Sequence, residues 1–388
     1  MSEQARLSNT LACEVRQWID AHVIPAEGLL DQDDSAAAGK AAELVAAARR
    51  ARLWGSYYPP ALGGRVSSLA AYVPVAEAEG RSEHGPMVFG SEAAVDAHML
   101  FLHGSPLVRE RYLAPLAAGQ ATPAYAMSEP QGIGSMPSTI QTSATLRDGH
   151  WHIDGRKWFI CRAGRAAFVT VVARTLPDGP AEQALSMIVV PTDAPGFRVE
   201  RELDILGRHQ GQCEISFTNV RVSADHVLGE PHRGMALMRQ RLVLGRLLRS
   251  SHWLGLGQRC FDLLCERIRS PRGTMAALPD KQLVRRHVFE VHLALTSARA
   301  LVHAAAEEFD AGRRCDLPAN LAKVAAARAL GLAADSAIQV FGAEGLSALT
   351  PLSGIFRSAR ATRILDGADE ALISSVGRQL IDLEAAAS

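Results

Sequence analysis

The sequence predicts an α+β fold in which helices come first, short strands follow, and helices return. Three observations carry this. Residues 1–120 contain runs of Ala, Leu, Glu and Arg, all strong helix formers. Residues 121–230 hold short β-branched runs cut by Pro and Gly, with no helical stretch between them. Beyond 230 a helical periodicity returns, and Val284, Val288, Val291, Leu295, Ala298 and Val302 step by 4, 3, 4, 3 and 4. The expected organisation is therefore an N-terminal helical domain (1–120), a middle antiparallel β-domain (121–230) and a C-terminal helical bundle (231–388).

Each element has its own local reason. Residues 36–52 should form a helix, which Pro59, Pro60, Gly63 and Gly64 end. Further helices are expected over 67–80 and 92–102, and over 106–116 with Pro106 in the first turn. Asp148-Gly149 suits a hairpin turn between residues 140–146 and 151–153. Residues 168–173 and 187–190 are β-branched runs. In 213–222, alternation places Cys213, Ile215, Phe217 and Val222 inward, with Glu214, Ser216 and Thr218 outward. The seam from Val284 to Val302 suits an antiparallel helix bundle, and a second long helix is expected over 318–340.

Composition narrows the class. At 48% hydrophobic and 21% charged residues, the chain is a folded globule. Lys+Arg and Asp+Glu number 41 each, so no overall charge draws it to nucleic acid or an anionic membrane. No secretory signal opens the chain, and no run of about 18 apolar residues suggests a membrane span. Six cysteines lie scattered without a CxxC pair, which suits reduced thiols and a cytoplasmic protein. No metal site is expected, because no histidines stand at ligand spacing with a carboxylate nearby.

Three segments bear chemistry, and each has a bland alternative. Tyr125 to Pro130, followed by Gly132-Ile-Gly-Ser135, is either an ordinary loop or one whose backbone N–H groups meet a flat polar ligand or a phosphate. Gly155 to Ile160 contains Trp158 and Phe159, which either pack in the core or stack on a planar cofactor. In 360–370, Asp366-Gly367 follows an apolar pair. Asp366 is either a helix cap or a carboxylate held at a bend in apolar surroundings that improve it as a base.

Taken together and in order, these segments resemble the acyl-CoA dehydrogenase family, in the branch with Asp in place of the Glu base. The likeness extends from about His103 to Glu370. It implies a C-terminal four-helix bundle, an FAD cofactor and a homodimer or homotetramer. The family's Y-x-x-[ST]-E-P loop is matched by Tyr125, Ser128, Glu129 and Pro130, which implies flavin contacts from the Met127 backbone and the Ser128 side chain. Ser135 then lies near the pyrophosphate and the thioester. Gly155, Lys157, Phe159, Ile160 and Cys161 match the following motif, with Phe159 covering the flavin and Cys161 near its N5.

In the C-terminal part, Arg246 matches a residue that contacts the CoA portion. Gly245 occupies the position of an alternative base. Arg272 and Met275 fall where an arginine and a Phe reach the flavin of a neighbouring subunit. Gln339 and Gly342 match the turn that receives FAD across the dimer. Asp366-Gly367 falls on the base motif, with Gly367 at the substrate and Ala368 at the cofactor.

The implied reaction is α,β-dehydrogenation of an acyl-CoA or acyl-carrier thioester, with electrons leaving to an electron-transfer flavoprotein. Met136, Cys161, Met275 and Ala343 depart from the family pattern and suit a specialised member. A flavin oxidase or monooxygenase on the same fold, resembling nitroalkane oxidase, is a second class. A non-catalytic relative that binds a partner is a third.

Overall fold

A computed structural model describes residues 3–32 and 34–387. The chain divides into two compact units. A helical unit comprises Met1–Tyr57, Arg65–Ser91 and Val243–Ser388, and a strand unit comprises Tyr58–Gly64 and Glu92–Leu242. The principal helices are α1 (Glu3–Trp18), α2 (Ser35–Arg50), α3 (Leu69–Glu79) and α4 (Ala94–His103). After the strands come α5 (Gly234–Arg269), α6 (Gln282–Asp310), α7 (Asp316–Phe341), α8 (Leu352–Thr362) and α9 (Asp369–Ala387).

In the helical unit the caps explain the starts. Asp34 Oδ1 accepts the Ala37 N–H at 2.8 Å, and Ser68 Oγ accepts that of Ala71 at 3.2 Å. Helix α3 packs against α1 and α6, while α7 packs against α6, α8 and α9. The expected α6 seam is fully buried at Val291, Leu295, Ala298 and Val302, whereas Val284 and Val288 in its first turns stay partly exposed. Helices α3 and α5 cross at backbone contact. A Cβ on Gly255 would stand 1.9 Å from Glu77 O, and one on Gly80 would stand 2.1 Å from His252 O.

Helix α7 is long and apolar enough, by length and composition alone, to cross a membrane. Its buried face carries Asn320, Lys323 and Ser336 among the alanines and meets three neighbouring helices, which is the setting of a core helix. Ala-rich composition, needed for close helix packing, produced the high hydropathy.

The strand unit holds β1 (Pro123–Ala126), β2 (Ser143–Arg147), β3 (His150–Cys161), β4 (Phe168–Arg174), β5 (Leu185–Pro191), β6 (Phe197–Ile205) and β7 (Arg208–Ser223). They form one sheet in the order β1-β4-β2-β3-β7-β6, with β5 on β4. The pairing is antiparallel except at β4, which runs parallel to β1 and meets β2 in parallel at Ser143 and Arg174. Asp148 and Gly149 take φ of 48° and 71°, as the two-residue β2–β3 hairpin requires.

Inward residues of β7 are buried as expected, but Glu214 and Ser216 are buried too. Neighbouring strands cover them: Arg156 and Arg201 engage Glu214, and Glu200 accepts the Ser216 hydroxyl. A central strand hides even its polar face when long charged side chains lie across it.

Candidate active site

In the strand unit, β1 delivers the chain into the loop that begins at Met127. That loop is held from β3. Lys157 Nζ donates to Met127 O and to Glu129 Oε1, both at 2.9 Å, and Trp158 N donates to Ser128 O at 3.0 Å. Glu129 also accepts the N–H groups of Gln141 at 2.7 Å and Thr142 at 2.9 Å. Burial pushes the Lys157 ammonium down to about 8, against the pull of Glu129. Burial also works to raise the Glu129 carboxyl, but the Lys157 charge and the donated hydrogen bonds leave it lowered. Glu129 and Lys157 were legible as motif residues; their function as a brace for the loop was not.

The Tyr125 ring stacks under the Arg241 guanidinium, 3.6 Å from its centroid, and Arg241 Nη2 lies 2.9 Å from Asp96 Oδ1. Burial, with Asp96 adding to it and Arg241 opposing, pushes the Tyr125 phenol up to about 12. Beyond Ser128 the loop turns outward. Ser135 and Met136 are exposed, and Thr139 Oγ1 stitches the turn by accepting the Ile133 N–H at 2.9 Å.

Strand β3 slips register against β7 between Lys157 and Ile160. Phe159 sits in that irregularity with φ of 51°, its side chain 44% exposed and its ring 4.9 Å from that of Trp158. A left-handed, non-glycine residue with an exposed aromatic ring is an uncommon combination, and such strain concentrates at functional sites. Next to it, Cys161 pairs with Gln212 across the ladder, and Gln212 Nε2 lies 2.8 Å from Cys161 Sγ. The Gln212 carboxamide oxygen is buried without a hydrogen-bond partner. No sequence signal marked Gln212, because the β3–β7 register brings it to Cys161.

In the helical unit, Asp366 and Gly367 form the turn between α8 and α9, with φ of 56° and 107°. Asp tolerates the left-handed region better than most side chains. A Cβ on Gly367 would also press within 3.1 Å of Leu372 and 3.3 Å of Arg246 Nη2. Two cations, Lys323 buried and Arg246 part-buried, hold the turn by its backbone. Arg246 Nε donates to Asp366 O at 2.9 Å while its Nη1 reaches Asn320 Oδ1 at 2.9 Å. Lys323 Nζ donates to Gly367 O at 2.8 Å and to Asp369 Oδ1 at 3.1 Å. Asp369, fully buried, also accepts from Arg363 Nε at 3.0 Å. Burial lowers both Arg246 and Lys323, and the carboxylates around them oppose it.

The Asp366 carboxylate keeps 20% of its side chain exposed, and Arg249 Nε lies 2.8 Å from its Oδ2. That contact is an ion pair by distance. The N–H is not aligned for a hydrogen bond, so Oδ2 is left without one. The remaining expected residues lie on the unit's surface. Arg272 is 67% exposed and reaches Glu344 Oε2 at 3.0 Å; Met275 is 83% exposed. Gln339 and Gly342, at the end of α7, are exposed, and Ala368 is partly buried.

Three domain profiles match the chain. They are acyl-CoA dehydrogenase, N-terminal domain, over residues 8–120; acyl-CoA dehydrogenase, middle domain, over 124–220; and acyl-CoA dehydrogenase, C-terminal domain, over 232–381. Probable acyl-CoA dehydrogenase FadE2 of Mycobacterium tuberculosis is 33% identical over 386 residues, covering 95% of this chain and 93% of that one. Acyl-CoA dehydrogenase family member 11 of Mus musculus is 29% identical over 97% of this chain, which spans 50% of the mouse protein. Among solved structures, an acyl-CoA dehydrogenase homologue from Mycobacterium abscessus shares 30% identity over 99% of both chains, with a TM-score of 0.88.

Fold and relatives together define a flavoprotein oxidoreductase. The chain belongs to the acyl-CoA dehydrogenase family, whose members bind FAD. The residues present fit that cofactor. Phe159 offers an exposed aromatic face, and the buried Gln212 oxygen lacks a donor that a ring N–H can supply.

Proposed function

We propose that this protein catalyses α,β-dehydrogenation of an acyl thioester, carried on CoA or on a carrier protein, with Asp366 as the base. The observation that carries the proposal is the Asp366-Gly367 turn: the buried Lys323 and the part-buried Arg246 fix its carbonyls while the carboxylate stays partly open to solvent. Fixing the backbone removes the freedom a short Asp side chain would otherwise have, which is what a base needs to stay in near-attack geometry. Asp366 receives the α-proton, and its own backbone N–H polarises the thioester carbonyl, so that negative charge developing on oxygen is stabilised.

When bound, FAD supplies the acceptor for the hydride leaving the β-carbon. The product is the α,β-unsaturated thioester. Tyr125, Met127, Ser128, Ser135, Phe159 and Cys161 of the strand unit would hold the cofactor. Arg272, Met275, Gln339, Gly342 and Ala368 of the helical unit would contribute as well, some of them toward a neighbouring subunit. Arg246 and Gly367 would shape the thioester end. An electron-transfer flavoprotein would then carry the electrons onward, and a dimer or tetramer would be the working form.

The test is anaerobic. Flavin-loaded protein is mixed with a series of acyl-CoA thioesters, and the flavin absorbance is followed. Bleaching in the parent and at least a hundredfold slower bleaching in Asp366→Asn, with FAD retained, is the expected result. An Asp366→Asn protein that bleaches at the parent rate removes Asp366 from the reaction.

A further inference from the structure

The proposed reaction leaves one charge beside Asp366 without a role. Arg249 follows Arg246 by three residues, so both guanidinium groups leave one face of α5. They do different things. Arg246 donates to the Asp366 carbonyl and to Asn320, so it reaches the carboxylate through its charge and not through a hydrogen bond. Arg249 Nε stands 2.8 Å from Oδ2, the ion pair that Asp366 makes among the described residues.

The other charges around the turn make their contacts elsewhere, although Lys323 and Arg246 both feel the Asp366 charge. From α7, Lys323 serves Gly367 O and Asp369, Arg328 lies 3.9 Å from Asp369, and Asp316 acts on Arg246. At the end of α8, Arg363 binds Asp369 at the start of α9.

We propose that Arg249 is the positioning residue for Asp366: its guanidinium takes Oδ2 and leaves Oδ1 to receive the proton. The inference rests on the proposed function. Its physical basis is direct. A cation at contact distance fixes the terminal torsion of a side chain too short to correct its own aim, because Asp has one methylene less than Glu. The pair is partly solvated, with Arg249 44% exposed, so it adds little to folding stability. Its loss therefore registers in the chemistry.

The experiment compares the FAD-loaded parent with Arg249→Met and Arg249→Lys, using the best acyl-CoA substrate. In Arg249→Met, kcat should fall roughly tenfold or more, with KM within about twofold. Arg249→Lys, which keeps the charge, should recover most of kcat. Unchanged kcat in Arg249→Met overturns the inference. So does a loss of kcat that Arg249→Lys fails to repair, since that pattern is structural.

A parent that binds FAD but reduces it with no thioester overturns the proposed function instead. The pair is then read without substrate, from protein carrying 13C at the Asp carboxyls. At one fixed pH, the resonance missing in Asp366→Asn should move in Arg249→Met and return toward the parent position in Arg249→Lys. An unmoved resonance in Arg249→Met overturns the inference.

Discussion

Lys157 Nζ and Glu129 Oε1 meet at 2.9 Å with the lysine fully buried and the glutamate 5% exposed, and the same ammonium holds the Met127 carbonyl. One buried ion pair thus fixes the start of the loop assigned to the flavin. Removing one partner from such a pair strands the other charge in the interior. Lys157→Met should lower the unfolding free energy by about 3–5 kcal/mol and loosen FAD. Urea titration and equilibrium dialysis measure the two effects. A variant as stable as the parent would mean the pair is dispensable.

The same pair predicts a direction with pH. Glu129 is lowered in the folded protein from the ordinary 4.5, so its share of stability is fully present above that value. It is lost as pH falls through the lowered folded value. Between pH 6 and pH 3 the parent's urea midpoint should therefore drop further than that of a Lys157→Met/Glu129→Gln double variant. Parallel curves would remove Glu129 from the acid response.

Gly367→Ala tests the turn. The new alanine would be held at φ of 107°, and its methyl would crowd Leu372 and Arg246. A cost of about 1–3 kcal/mol is expected, with flavin reduction slowed at least tenfold because Asp366 shifts with its neighbour. Thermal unfolding and stopped-flow absorbance check both. Full activity in this variant would show that the turn tolerates a different aim.

Arg272 separates cofactor binding from folding. Its ion pair with Glu344 is two-thirds exposed on the arginine side and contributes little to stability. Arg272→Ala should leave the urea midpoint almost unchanged yet weaken FAD binding by roughly tenfold, as the loss of one charge-assisted contact allows. Unchanged affinity would reject the assignment.

The α3–α5 crossing should be the most sensitive backbone contact. Gly255→Ala places a methyl 1.9 Å from a carbonyl oxygen that cannot swing away. A loss of about 3 kcal/mol or more is expected, visible as a lower Tm or as insoluble expression. A parent-like Tm would mean the two helices separate at little cost.

Much of this was legible in the sequence because it was local. The Asp148-Gly149 hairpin, the α6 seam and the order of helices and strands follow from turn chemistry and period. Among candidate residues, Asp366-Gly367 and the Tyr125–Pro130 loop stood out as segments. What stayed hidden was pairing between distant segments. Nothing near Glu214 announces that Arg156 and Arg201 will cover it, and nothing near Arg249 announces Asp366, 117 residues away. The parallel run of β1 beside β4 was equally silent, since strand direction depends on the path of the connection.

The scarcity of lysine has a practical consequence. Of Lys40, Lys157, Lys281 and Lys323, the only lysines in the sequence, Lys157 and Lys323 are sealed in the interior. One clamps the loop of the strand unit and the other clamps the Asp366 turn. An amine-selective acylating reagent applied to the native protein meets two side-chain targets, Lys40 and Lys281. A third or fourth label, located by peptide mass, would be a clock for the opening of one clamp or the other. The protein thus carries its own pair of chemical reporters, one in each unit, and no probe has to be engineered into it.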